Sequence, residues 1–285
     1  MSVLEDYFPQ EIDKLITQAA YIKPDVRFEG SRRMAIDSTG RIWEGKAGHS
    51  MKKLQVAERV QAFGQDALTF ITIEGKLTGL DSDGDLIKYH LGVDILSVGN
   101  LGGGFHYITP TGKLYIEEKE PITLPEPIVQ LVFDRNIVYL LTVTGRTIGY
   151  DTTLKQITFI DETTDTVKLA IDMLSDCLQL KVDGTIWILE EDGVLDRKNY
   201  QASKELGRVI DLKTSGNSVI LLYNKGSLVS VLYRRFVVEQ TDKYPLAFDV
   251  NSNTIIVVTK DGRIIMRNLI SPSSPYETIS RVKLT

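Results

Sequence analysis

The chain has 285 residues, of which 42% are hydrophobic and 25% are charged, a composition typical of a folded globular protein and not of a disordered one. Its net charge of −5 argues against general nucleic-acid binding, because that binding needs a positive field to displace the counterions around the phosphates. Cys177 is the only cysteine in the sequence, so an internal disulfide and a cysteine-based zinc site are excluded within it.

The first twenty-two residues predict a helical extension. Pro9 occupies a first helical position, and the apolar residues that follow fall on one stripe of a helix that ends near Ala20. The stripe consists of Ile12, Leu15, Ile16, Ala19 and Ala20. We expect residues 1–22 to form an extension with a short amphipathic helix over 9–20, whose stripe packs onto the rest of the protein or docks on a partner.

Charge and hydropathy near the start of the chain predict an intracellular protein. Glu5 and Asp6 stand where a secretory signal peptide would carry basic charge before an apolar stretch. Apolar runs such as Ile137–Leu141 are far shorter than a membrane span. We therefore expect a cytoplasmic or nuclear protein that is not secreted and does not engage a membrane.

Seven glycines recur along the rest of the chain at intervals of 33 to 42 residues. They are Gly40, Gly75, Gly112, Gly145, Gly184, Gly226 and Gly262. An aliphatic residue stands four positions before each of them, namely Ile36, Ile71, Ile108, Leu141, Leu180, Leu222 and Val258. A fixed register over a period of this length predicts one supersecondary unit that is repeated seven times.

The sequence predicts that each repeat forms a small antiparallel sheet with the glycine at a hairpin turn. Pairs such as Asp183-Gly184 supply the positive φ that a tight hairpin requires. The second repeat accommodates four strands, which we place at Arg59–Phe63, Leu68–Ile73, Lys76–Leu80 and Asp85–His90. The turn between the last two of these strands contains Asp81 and Asp83.

The strands beside the glycines are apolar on both faces. Segments such as Ile137–Leu141 and Ile255–Val258 lack the alternation of a strand with one solvent-exposed face. Small antiparallel sheets that are buried on both faces must lie between neighbouring sheets, and radial stacking around an axis provides that arrangement. We therefore predict an all-β fold, a seven-bladed β-propeller over residues 23–285.

The two ends of the predicted ring carry similar strands. Pro24–Phe28 and Ile279–Leu284 both resemble the strands that open other repeats. We expect both terminal strands to lie in or beside the first blade, with one of them completing it, so that no apolar sheet edge is left open.

Three repeats carry a more specific pattern. These segments are Gly103–Tyr115, Leu178–Trp187 and Met34–Trp43, in which an aliphatic strand is followed by a turn glycine and then by an aliphatic and an aromatic residue. The pattern resembles that of the regulator of chromosome condensation family. The resemblance implies a seven-bladed propeller that binds proteins across one rim. No repeat here contains the family's Trp-Gly and Gly-Gln-Leu-Gly loop, so the resemblance carries over no active residue.

Basic residues directly follow five of the seven glycines. They are Arg41, Lys76, Lys113, Arg146 and Arg263. In a propeller these residues share one rim, where a cluster of like charges attracts an acidic partner. We therefore assign them as candidate partner-binding residues for a protein with an acidic surface. The alternative is that basic side chains beside exposed turns only protect the sheet edges from aggregation.

No constellation of residues predicts catalysis, a metal or a cofactor. His49, His90 and His106 lie in different repeats, so their spacing indicates neither a metal cluster nor a catalytic triad. The acidic segment Asp81–Asp85 departs from a calcium-binding loop after its first positions and predicts a solvated turn. We expect Cys177 to be a small core residue.

The function that these features favour is a non-catalytic scaffold that recognises a macromolecular partner through propeller rim loops. A second hypothesis, implied by the family resemblance, is a regulator that binds small GTPases or exchanges their nucleotide. A third is a structural component of a large assembly such as a virion. The sequence leaves open the partner's identity, the rim used and the oligomeric state.

Overall fold

The computed structural model describes residues 22–46, 49–56, 58–64, 68–81, 83–101, 104–116, 120–171, 176–189, 195–196, 206–215, 218–232, 235–239, 244–251, 254–268 and 277–281. The helix expected at 9–20 lies outside these residues, and the division of the chain at residue 22 stays a prediction. Among the described residues, no helix has the length and hydropathy that crossing a bilayer requires.

The described residues form twenty-seven strands in seven antiparallel sheets. Sheet 1 contains β1 (Asp25–Glu29), β2 (Arg32–Ile36), β3 (Ile42–Lys46) and β4 (Lys52–Lys53). Sheet 2 contains β5 (Val60–Phe63), β6 (Thr69–Thr72), β7 (Leu77–Leu80) and β8 (Leu86–Tyr89). Sheet 3 contains β9 (Ser97–Leu101), β10 (Gly104–Ile108) and β11 (Leu114–Ile116). Sheet 4 contains β12 (Ile128–Asp134), β13 (Ile137–Thr142), β14 (Thr147–Asp151) and β15 (Gln156–Asp161).

The remaining strands follow the same plan. Sheet 5 contains β16 (Thr166–Ile171), β17 (Cys177–Lys181), β18 (Ile186–Leu189) and β19 (Leu195–Asp196). Sheet 6 contains β20 (Val209–Ser215), β21 (Ser218–Tyr223), β22 (Leu228–Leu232) and β23 (Arg235–Glu239). Sheet 7 contains β24 (Pro245–Asn251), β25 (Thr254–Thr259), β26 (Arg263–Asn268) and β27 (Glu277–Arg281). Within each sheet, strands that follow one another in the chain are neighbours, so every repeat is a meander.

The strands are buried on both faces because each sheet lies between two others. In β25, Ile256 and Val258 pack with Val26 of sheet 1. The alternate residues Ile255 and Val257 pack with Ile220 of sheet 6. One strand therefore contributes to two hydrophobic clusters, which explains why its sequence does not alternate between apolar and polar residues.

Hydrophobic clusters of described residues connect the sheets in succession. Sheets 1 and 2 share a cluster that contains Met34 and Phe70, and the cluster between sheets 5 and 6 contains Leu180 and Leu212. The cluster that joins Val26 to Ile256 connects sheet 1 with sheet 7. The first and last sheets are therefore packing neighbours, in an all-β arrangement typical of β-propellers.

The two terminal strands lie in different sheets, whereas we expected one of them to complete the first sheet. β1 is the first strand of sheet 1, as predicted, but β27 pairs with β26 and completes sheet 7 instead of sheet 1. Side-chain contacts supplement the packing between these two sheets. The N–H of Phe28 donates to Asp249 Oδ2 at 2.7 Å, and Asn251 Nδ2 donates to the carbonyl of Gly30 at 2.7 Å.

The repeated glycines lie where one sheet meets the next. Gly112 has a φ of 78°, and a Cβ atom on it would lie 2.5 Å from the Cα of Pro127, just before sheet 4. At Gly40 the carbonyl accepts a hydrogen bond of 2.9 Å from the N–H of Val60 in sheet 2. The glycine therefore meets two requirements, a turn with positive φ and close approach of the next sheet's backbone.

Candidate functional site

The turns between the second and third strands, together with the start of each first strand, form one end of the molecule, which we call the hairpin rim. Polar side chains three positions before the glycine organise these turns. The N–H of Lys76 donates to Thr72 Oγ1 at 3.1 Å, and the N–H of Arg146 donates to Thr142 Oγ1 at 3.1 Å. In sheet 1, Asp37 takes this role and accepts the N–H of Arg41. These bonds set the backbone position of the basic residue after each glycine.

Three of the five basic residues predicted to bind a partner form ion pairs within the protein. Lys76 Nζ lies 2.5 Å from Asp94, and Arg263 Nε lies 2.9 Å from Asp261.

Arg146 contacts both Glu126 and Glu162, at 3.0 and 3.3 Å. Arg41 and Lys113 have no carboxylate partner within the described part of the chain and are both exposed. The hairpin rim therefore presents a mixture of both charges and not a uniformly basic ring, and the role of these five residues in binding stays a prediction.

Apolar side chains are exposed along the hairpin rim of sheets 2 to 4. Ile73 is 43% exposed, Leu96 39% and Val143 36%, and Pro110 between them in sequence is also exposed. We call these four residues the apolar arc. They were not predicted from the sequence, because isolated aliphatic residues in turns do not form a periodic pattern.

Backbone contacts connect the members of the apolar arc. The N–H of Ile95, next to Leu96, donates to the carbonyl of Gly75 at the turn that carries Ile73. The N–H of Val143 donates to the carbonyl of Pro127, which in turn approaches the turn of sheet 3 at Gly112. The arc therefore follows three adjacent sheets.

The first strands of the sheets surround a cavity of about 490 Å³, here called the inner cavity. Its described lining comprises Arg27 from β1, residues 62–64 from β5 and its end, 96–98 at β9, 129–132 from β12, 168–171 from β16 and 212–214 from β20. The lining extends from Leu96, just before β9, to Gly64, Ile171 and Thr214 at the far ends of the first strands, so the inner cavity follows these strands along their length.

Charged side chains from β1, β16 and β20 form ion pairs around the inner cavity. Asp25 accepts from Arg27 Nε at 3.1 Å and lies 3.2 Å from Lys213 Nζ. Lys168 donates to Asp211 Oδ1. The pairs connect strands of sheets 5, 6 and 1, which are well separated in the sequence.

The electrostatics of this cluster depend on the balance between burial and charge pairing. Burial acts to raise the pKa of Asp25, but the positive charges of Lys213 and Arg27 outweigh it and hold that pKa far below its usual value. Burial also acts to raise the pKa of Asp211, but the positive charge of Lys168 outweighs it and lowers that pKa. Burial raises the pKa of Asp249, although Lys213 and Arg27 act against it.

The charged residues occupy equivalent positions in different sheets. Asp25, Lys168 and Asp211 pair in register with Ile36, Leu180 and Leu222, the aliphatic residues that stand four positions before a glycine. Arg27, Lys213 and Asp249 lie two positions after this equivalent position in β1, β20 and β24. Polar residues in alternate positions of otherwise apolar strands were the sequence signal for this site, which was not predicted.

The opposite part of the lining carries small or apolar residues. Ala62 and Ser97 occupy the positions equivalent to Asp25. Gln130 occupies the same position in sheet 4, but its amide group forms two hydrogen bonds to the backbone of Leu169 in sheet 5. Nε2 donates to the carbonyl of Leu169, and Oε1 accepts the N–H of Leu169, both at 3.0 Å. The inner cavity is therefore charged on one side and largely uncharged on the other.

The remaining sequence predictions concern single residues. Asp81 accepts the N–H groups of Asp83 and Asp85 at 2.9 and 2.8 Å, which confirms the predicted turn. Cys177 is buried in the core, as predicted. The described residues contain no group of three or more His, Cys, Asp or Glu side chains arranged to hold a metal ion.

Comparison with protein-family models and with curated protein sequences found no match. Solved structures do match. BBS1N in complex with ARL6DN aligns with a TM-score of 0.68 and 10% identity, over 88% of this chain and 92% of that one. BamB from Moraxella catarrhalis aligns with a TM-score of 0.52 and 14% identity, over 82% and 81% of the two chains.

PorZ, a surface component of the type-IX secretion system of Porphyromonas gingivalis, aligns with a TM-score of 0.64 and 12% identity over 91% of this chain. This chain spans 38% of the PorZ chain. Similarity at these identities establishes the fold alone: this protein is all-β and has a β-propeller-like fold. Membership of the regulator of chromosome condensation family stays a prediction.

Proposed function

We propose that the sheets are the blades of a closed seven-bladed propeller, and that this ring is an intracellular, non-catalytic scaffold that binds a protein partner through its hairpin rim. The packing of sheet 1 against sheet 7 supports closure of the ring. The observation that carries the binding proposal is the apolar arc, Ile73, Leu96, Pro110 and Val143.

The apolar arc has the composition of an interface core. A protein–protein interface combines a desolvated apolar centre with a polar rim, and apolar surface exposed on neighbouring elements marks an interaction site. Here the apolar side chains alternate along the rim with the Lys76–Asp94 and Arg146–Glu126 ion pairs. Partner binding would bury the apolar residues while these pairs remain at the periphery.

The partner that suits this surface is a protein with an apolar contact patch bordered by acidic residues. Lys113 lies three residues after Pro110 and is exposed, with no carboxylate partner within the described residues. An acidic group on the partner would therefore satisfy Lys113 without breaking an existing ion pair. Ion pairing at Lys76 and Arg146 makes these two residues weaker contributors than the predicted basic rim assumed.

A similar fold binds a protein partner elsewhere. BBS1N was solved as a complex with ARL6DN, so a propeller-like chain of this length provides a surface sufficient for a protein complex. The 10% identity between BBS1N and this chain carries over no contact residue. The support for the hairpin rim therefore comes from this protein's own exposed residues.

Proximity labelling in cells tests the proposal. The comparison uses the wild type, the double variant Ile73→Asp/Val143→Asp on the apolar arc, and Leu86→Asp as control, since Leu86 is equally exposed but lies on the outer strand β8. We expect the arc variant to lose a defined set of neighbours that Leu86→Asp retains, and the purified partner to bind the wild type and not the arc variant. Equal labelling by both variants with unchanged melting temperatures would contradict the proposal.

A further inference from the structure

The inner cavity has a cationic wall. Of the described residues that line it, Arg27, Lys168 and Lys213 are positively charged and none is negatively charged. Their carboxylate partners Asp25 and Asp211 are not part of the lining. The lining therefore includes the cationic member of each ion pair and not the anionic member.

The cations retain hydrogen-bond donors for a further acceptor. Arg27 uses Nε to contact Asp25, and within the described residues its Nη1 and Nη2 have no acceptor. Those two groups form the planar fork that suits carboxylate and phosphate oxygens. The ammonium groups of Lys168 and Lys213 each contact one carboxylate here, although an ammonium group has three donors.

The three lining cations are equal in number to the nearby carboxylates Asp25, Asp211 and Asp249. The cavity therefore attracts an anion only if the anion lies closer to the cations than to the carboxylates. Coulomb energy falls with separation. A negative group in the inner cavity would lie next to the lining cations and further from the carboxylates, which do not line the cavity. The arrangement therefore produces a locally positive potential in the cavity, within a protein whose net charge is −5.

The opposite wall is uncharged. Ala62, Val129 and Val132 line it together with the polar residues Ser97 and Gln130, and the volume of about 490 Å³ is that of a site for a small organic ligand. Free phosphate would satisfy the cations but would leave this wall in contact with water. The lining suits a molecule that has both an anionic group and an apolar body.

We propose that the inner cavity binds a small organic anion. Its carboxylate or phosphate group is held by Arg27, Lys168 and Lys213, and its apolar body packs against Ala62, Val129 and Val132. Leu96 belongs to both the cavity lining and the apolar arc, but the ligand contacts proposed here are made by other residues, so either proposal can fail while the other holds.

Fluorescence titration of the purified full-length protein with 8-anilinonaphthalene-1-sulfonate tests the site, because this probe joins an oxyanion to an apolar ring system. N-phenyl-1-naphthylamine, which has the apolar rings without the sulfonate, is the matched control. We expect the anionic probe to bind more tightly by at least about tenfold and octanoate to displace it. Equal binding of the two probes, displacement by inorganic phosphate but not octanoate, or displacement by neither would overturn the proposal.

Substitutions test whether the anionic probe binds in the inner cavity. Arg27→Met removes the fork, and Arg135→Met removes an exposed arginine at the turn between β12 and β13 as the matched control. We expect Arg27→Met to weaken binding of the anionic probe by about tenfold or more, and Arg135→Met to change it less than about twofold.

Ala62→Leu fills part of the cavity and leaves every ion pair intact, so it tests the site even if Arg27→Met does not fold. It should weaken binding of the anionic probe and of octanoate together. Unchanged binding in a folded Ala62→Leu protein, or in a folded Arg27→Met protein, would overturn the assignment.

Discussion

The carboxylate of Asp249 in sheet 7 accepts a 2.7 Å hydrogen bond from the backbone N–H of Phe28 in sheet 1, across a separation of 221 residues. A terminal strand shared between the two sheets would have supplied backbone hydrogen bonds at this junction. The described junction instead combines apolar packing around Val26 and Ile256 with side-chain contacts such as this one.

Replacing Asp249 tests the contribution of its hydrogen bond. Asp249→Ala leaves the N–H of Phe28 without its acceptor, and we expect the free energy of unfolding to fall by about 1–3 kcal/mol in urea denaturation. Asp249→Asn keeps an acceptor oxygen and removes a carboxylate whose pKa burial raises. That variant should remain within about 1 kcal/mol of the wild type at pH 7. Equal destabilisation by both variants would show that the charge, and not the hydrogen bond, is what matters.

Stability should depend on pH through Asp25. Its pKa in the folded protein lies below the unfolded value of about 3.9. The folded state therefore gains stability from the ionised carboxylate above that pH, and the gain is lost as pH falls toward the folded pKa. Asp211 acts in the same direction.

We expect the unfolding free energy of the wild type to decrease on acidification from pH 5 to pH 2.5, and Asp25→Asn to show a shallower decrease. Asp249, whose pKa is raised, acts oppositely above pH 4. The measurement is urea denaturation across this range. An identical slope in wild type and variant would contradict the role of Asp25.

Substitution of Lys181 should destabilise the protein, although lysine side chains are mostly exposed and tolerate change. Its side chain is 1% exposed, and Nζ lies 2.9 Å from Asp165, 2.8 Å from Thr163 Oγ1 and 2.9 Å from Thr166 Oγ1. Lys181→Met leaves these acceptors without their donor, so we expect a loss of about 3 kcal/mol in the free energy of unfolding. Arg41→Met, at an exposed position, should change it by less than about 0.5 kcal/mol. Comparable losses in both variants would contradict this assignment.

Two glycines with similar backbone conformations should respond differently to alanine. Gly112 has a φ of 78° and Gly84 a φ of 91°, so Cβ strain of about 1 kcal/mol applies to both. A Cβ on Gly112 would also clash with Pro127, whereas a Cβ on Gly84 meets no atom within 4 Å. Gly112→Ala should therefore lower the melting temperature well beyond Gly84→Ala in thermal denaturation. Similar shifts would mean that the contact between sheets 3 and 4 relaxes easily.

Strand placement was predictable from local pattern, as the second repeat illustrates. The strands expected at Arg59–Phe63 and Leu68–Ile73 are observed as Val60–Phe63 and Thr69–Thr72. Runs of aliphatic residues beside a turn glycine have few alternative conformations, because turn chemistry and burial favour the same structure. The candidate surfaces were harder to find, since Ile73, Leu96 and Val143 are far apart in sequence and are brought to one rim only when the sheets stack.

The sequence by itself determined the repeated hairpins and the burial of their strands on both faces, because glycine turns and apolar periodicity act over a few residues. Tertiary structure alone decided that β27 completes sheet 7, that Lys76 and Arg146 are paired with acidic residues, and that Arg27, Lys168 and Lys213 share one cavity. Those outcomes depend on which residues from distant repeats approach within a few ångströms. Short-range patterns cannot encode them, since electrostatic and packing energies depend on distance in space and not along the chain.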